Sequence, residues 1–276
     1  MLEREEIIEQ AYFFRTLRER LEMNLPLQEL LEHIRDEILS STKLPMAIDF
    51  LHAELMQEGV IGPAMQRLNH YFTAFQTYVF TEAEQETGRF DLRIGLEILQ
   101  REAEYKSKEP TPGGVFLYHF ETLCRNRLRY DPGLDASSSD PIFDETWREW
   151  VQLVRRQVGI VDLADMIYVR SEHYLTQQQR QGFEPADEGR AVLFGEKEGK
   201  IALANRKKEP LLLLAALQRH LSYPAVPRPK PPAEDPDLIP QLSRRIERLE
   251  TRLKLMEDEQ RDGSIDITKF YGSDGA

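Results

Sequence analysis

The sequence predicts an all-α fold: a multi-helix globular domain, then a proline-rich spacer and a short C-terminal coiled-coil helix. Three observations lead there. Apolar residues recur at helical spacing through residues 1–222, and no segment alternates with period two for long. Pro224, Pro227, Pro229, Pro231, Pro232 and Pro236 then crowd one short stretch, a density that blocks helix and sheet and favours an extended chain. Beyond them Ile239, Leu242, Ile246, Leu249, Leu253 and Met256 fall at alternating steps of three and four, which is a heptad seam. The expected organisation is a helical domain over 1–222, a linker over 223–236, a coiled-coil helix over 237–262 and a flexible tail over 263–276.

The elements follow in chain order. A first helix covers roughly 3–22, with Ile7, Ala11, Phe14 and Leu21 along one face. Asn24 is a cap for the second, with Pro26 in its first turn and Leu27, Leu30, Leu31, Ile34 and Ile38 as its stripe. Leu44 to Glu58 forms a third, stopped by Gly59, and a fourth runs from Pro63 to about Gln85. Leu92, Leu96, Leu99 and Ala103 define a fifth; Thr111 caps a sixth that opens at Pro112. The stretch from Tyr130 to Pro141 reads as turn, because Asp131-Pro-Gly and three serines fill it.

A seventh helix holds Trp147, Trp150, Val151, Val154 and Val158, and Gly159 breaks it. Asp162 caps an eighth, with Leu163, Met166, Ile167 and Tyr174. Residues 182–190 read as loop, Ala191 to Phe194 as a short strand or docked segment, and Pro210 opens a last helix with Leu214, Leu217 and Leu221. In the C-terminal helix Ile239, Ile246 and Leu253 take a positions and Leu242, Leu249 and Met256 take d. Arg245 and Arg252 at g face Glu250 and Glu257 at e, as interhelical ion pairs of a parallel two-stranded coil require.

Charge and composition exclude several function classes. A net charge of −12 argues against general nucleic-acid binding and against docking on anionic lipid. A local basic patch of Arg125, Arg127 and Arg129 with Arg155 and Arg156 leaves a nucleic-acid adaptor as the weakest reading. Cys124 is the one cysteine, which rules out an intrachain disulfide and a multi-cysteine metal site. The apolar run from Leu211 to Leu217 is far below the ~20 residues of a membrane span. A cytoplasmic protein is expected.

Candidate sites are few. Glu29, His33 and Glu37 share a helix face near Asp49 and His52, a metal-like spacing that lacks paired Glu-x-x-His motifs, so no metal is expected. Gly195-Glu-Lys-Glu-Gly199-Lys200 departs from a phosphate-binding loop: its glycines are one residue too close, and Ile201 stands where Ser or Thr is needed. It reads as a charged turn. Two aromatic clusters, Tyr71, Phe72, Phe75, Tyr78 and Phe80, then Phe116, Tyr118 and Phe120, read as core. No catalytic motif and no cofactor signature is present.

The leading expectation is an interaction or scaffold protein that forms a homodimer, or meets a helical partner, through its coiled coil. A helical-bundle enzyme or small-ligand protein with a pocket near His70 or His119 is the alternative.

Overall fold

The computed structural model describes residues 2–21, 23, 25–85, 90–181 and 191–228. These belong to one compact unit, Met1–Pro229; a second, Lys230–Ala276, lies outside the described residues, and with it the heptad seam and its Arg–Glu flanks. The described residues form thirteen helices and no strand. None of these helices is long and apolar enough to cross a membrane.

The N-terminal half holds α1 (Arg4–Leu21), α2 (Leu27–Glu37), α3 (Leu44–Glu58), α4 (Gly62–Arg67), α5 (Ala74–Glu84) and α6 (Leu92–Lys106). Gly59 closes α3 at φ 75°, a left-handed conformation that glycine adopts without strain. At the start of α2 the cap position is Pro26, without a side-chain cap bond; Asn24, the cap expected from the sequence, lies outside the described residues. The single fourth helix expected from Pro63 to Gln85 is two. Thr73 Oγ1 accepts from Gln76 N while the Gln76 side chain accepts from Thr73 N. This reciprocal capping box starts α5 afresh and leaves residues 68–73 as a break.

The second half holds α7 (Pro112–Asn126), α8 (Tyr130–Ser138), α9 (Glu145–Gln157), α10 (Leu163–Val169), α11 (Glu172–Arg180), α12 (Glu196–Ala204) and α13 (Pro210–Leu221). Thr111 caps α7 through Gly114 N, as its sequence implies. Nearly every residue of α7 is buried, so it is the central helix of the bundle. The expected turn at 130–141 is instead α8. Pro132 sits in its first turn, and Gly133 lets the helix lie against Leu123 of α7 and Tyr78 of α5, where a Cβ would come within 3.0 Å of Tyr78 Cε1. Tertiary packing there overrides the turn-forming composition.

The expected eighth helix is also divided, with Ser171 capping α11 and pairing with Phe194 in a single isolated bridge. Phe194 is the docked anchor of its segment. It packs edge-on to Trp147 and Trp150, which in turn meet Phe116 of α7. The Gly195–Gly199 run forms the start of α12, not a turn. Beyond α13 the chain continues as a strap on the domain. Tyr223 and Val226 are buried, Tyr223 Oη donates to Glu121 Oε2 at 2.7 Å, and Pro227 O accepts from Asn126 Nδ2.

Candidate ligand-binding cleft

The break between α4 and α5 opens one side of a cleft of about 910 Å³. Its walls come from α1, residues 68–73, α5, the C-terminal end of α6 and α8. The volume falls within the range that holds small organic ligands, roughly 300–1,000 Å³. Ile7, Tyr71, Phe72, Tyr78 and Ile142 supply apolar and aromatic surface. Asn69 and His70, from the break, bring side chains that have no hydrogen-bond partner among the described residues.

Below one wall lies a buried charge network. Lys106 Nζ lies 2.7 Å from Glu102 Oε1 and also pairs with Asp140 Oδ2. His119 Nε2 meets the same Glu102 oxygen at 2.7 Å, and its Nδ1 meets Ser137 Oγ at 2.9 Å. The His119 ring stacks on Phe75 with centroids 3.6 Å apart. Glu102, His119 and Ser137 are closed off from solvent, whereas the Lys106 side chain retains 11% exposure and forms part of the cleft wall with Asp140.

The helices explain this convergence. Glu102 and Lys106 are one turn apart on α6, a spacing that brings side chains together. His119 comes from buried α7 and Ser137 from α8. Asp140 follows α8, where its Oδ1 also accepts from Ile142 N at 3.1 Å.

The electrostatics are those of a closed ion pair. Burial opposes ionisation of Glu102, but the Lys106 charge and the bond from His119 outweigh it and hold the carboxyl below its usual range. Burial likewise works against the Lys106 ammonium, and Asp140 and Glu102 more than offset it, raising its pKa above the usual lysine value. The second Glu102 oxygen is buried with no hydrogen-bond partner among the described residues. Donor atoms of Glu102, His119 and Asp140 lie within 4.8 Å of one another, a grouping that suits a metal ion. Lys106 already bonds both carboxylates, and its charge does there what a metal ion's would.

The residues singled out in the sequence lie elsewhere or in other roles. Glu37 pairs with Arg20 and Tyr12, Asp49 with Arg35, and His52 faces Glu32, while Glu29 and His33 are exposed. That constellation does not converge. In the arginine patch Arg125 is held by Glu121, Arg129 by Glu82, and Arg155 by Asp131 and Asp135, so most of its charge is neutralised locally. The aromatic clusters are core apart from half-buried Tyr78, and Tyr71 and Phe72 also face the cleft.

Sequence reasoning missed Lys106, Asp140 and Ser137. The signals were a Glu-x-x-x-Lys pair on an amphipathic helix and a histidine inside the apolar run from Val115 to Leu123. Comparison with known proteins finds no matching family model, no matching curated protein and no matching solved structure.

Proposed function

We propose that the helical domain is a cytoplasmic small-ligand receptor whose binding site is the cleft between α1, α5, α6 and α8. One observation carries this reading: a cleft of about 910 Å³, whose surface is more apolar than polar although polar side chains are interleaved in it, has a buried ammonium–carboxylate pair in its wall. Apolar walls with a few fixed polar groups are the usual make-up of ligand sites. Binding fits better than catalysis. Lys106 stays an ammonium at neutral pH and is a poor nucleophile. His119 and Ser137 are out of reach of a substrate.

The test is a fragment screen by ligand-detected NMR on the full chain, repeated on Ala136→Trp and Thr77→Trp, which place an indole in the cleft. The reading expects hits with the natural chain that disappear in both variants at unchanged melting temperature. Hits that persist in both variants would overturn it, as would their absence from the natural chain.

The heptad seam supports a second role, self-association. Ile239, Ile246 and Leu253 at a with Leu242, Leu249 and Met256 at d suit a parallel pair. In a dimer the coil would bring two receptor domains together and raise avidity for a multivalent partner.

A further inference from the structure

Lys106 shows what the cleft ligand must offer. An ammonium carries three N–H donors. Glu102 Oε1 and Asp140 Oδ2 take two, and no third partner is present among the described residues. Lys106 and its partner Asp140 both line the cleft, and most of the Lys106 side chain is otherwise covered, which leaves the cleft as the outlet for its remaining donor. A donor in such a place is costly to leave unpaired once water is displaced.

The charge around it narrows the class. Glu102 and Asp140 already exceed the single charge of Lys106, and among the other charged lining residues Glu82, Glu109 and Asp135 outnumber Arg129. An anionic ligand would bring more negative charge to a site with a negative surplus. A cationic one could meet Glu109 at the rim, but beside Lys106 it would face a like charge and find both Asp140 oxygens already accepting, from Lys106 and from Ile142 N. We infer that the cleft selects a neutral, largely aromatic or aliphatic molecule carrying a carbonyl-type acceptor, whose oxygen takes the third hydrogen bond of Lys106. This rests on the receptor reading and goes further by naming the ligand class.

Four probes sharing one ring system test it by titration calorimetry on the full chain: 2-acetylnaphthalene, 2-ethylnaphthalene, 2-naphthoate and 1-(2-naphthyl)ethylamine. A hydrogen bond to a charged group is worth about tenfold or more in affinity, so the ketone should bind about tenfold tighter than the ethyl compound and tighter than either ion. The double variant Lys106→Met/Glu102→Gln removes one charge of each sign and should bring the ketone and ethyl compounds level.

If none of the four binds the natural chain, the receptor reading itself falls. If they bind but the ketone has no advantage, or the carboxylate or amine binds tightest, the ligand class is wrong and the receptor reading stands. A ketone advantage that survives in the folded double variant would overturn the role of Lys106. Should that variant fail to fold, the ranking on the natural chain still decides the class.

Discussion

Glu102 concentrates the energetics of the site in one side chain. It accepts from both Lys106 and His119 while closed off from solvent. Breaking a buried pair by removing one partner costs about 3–5 kcal/mol, because the other charge is left uncompensated. Glu102→Gln is therefore expected to lower stability by about 3 kcal/mol at pH 7, read from urea unfolding. The sign of its pH dependence follows from the direction of the shift. Opposed by burial but held down to about 2 by Lys106 and His119, against an ordinary 4.5, the carboxylate stabilises the fold above the ordinary value. That contribution fades as pH falls from about 4.5 towards about 2. The stability gap between the natural chain and Glu102→Gln should narrow between pH 5 and pH 3; a constant gap would mean that the carboxylate is not held by its partners.

At the scale of elements, α12 and α11 meet through one glycine. A Cβ on Gly199 would lie 2.6 Å from Ser171 Cβ and 2.7 Å from His173 Cβ, both on packed elements. Gly195, four residues earlier, would meet chiefly the flexible end of Glu198. Gly199→Ala should cost about 2 kcal/mol and Gly195→Ala much less, measured as unfolding midpoints. Equal effects would contradict this packing.

Helices with a visible start or stop signal, such as α3 with Gly59, α7 with Thr111 and α13 with Pro210, were legible in the sequence because local signals and packing agree there. The walls of the cleft were not. The α4–α5 break hides in a continuous apolar pattern and is marked only by Thr73-x-x-Gln76. Helix α8 carries Pro132, Gly133 and two serines, and it packs against Leu123 and Tyr78. The network joins residues from α6, α7, α8 and the segment after α8, and one sequence shows no such long-range meeting. Both of these segments border the cleft, whereas the divided eighth helix and the start of α12, also misread, lie away from it.

At the scale of the whole molecule, the domain reaches past α13. Tyr223, Val226 and Pro227 pack on it, and Arg101 Nη1 donates to Ala225 O, so a truncation meant to isolate the domain should end at Arg228. Sizing that truncated chain beside the full chain tests the coil. The self-association proposal expects a dimer only for the full chain at micromolar concentration; equal sizes would end it. The receptor claim meets its most direct test in isoleucine-methyl NMR of the full chain titrated with 2-acetylnaphthalene. Ile7 and Ile142 line the cleft, whereas Ile48 and Ile167 are buried among core residues that do not line it. The account expects saturable shifts at Ile7 and Ile142 with Ile48 and Ile167 unmoved. Unchanged cleft methyls, or equal shifts at all four, would contradict it.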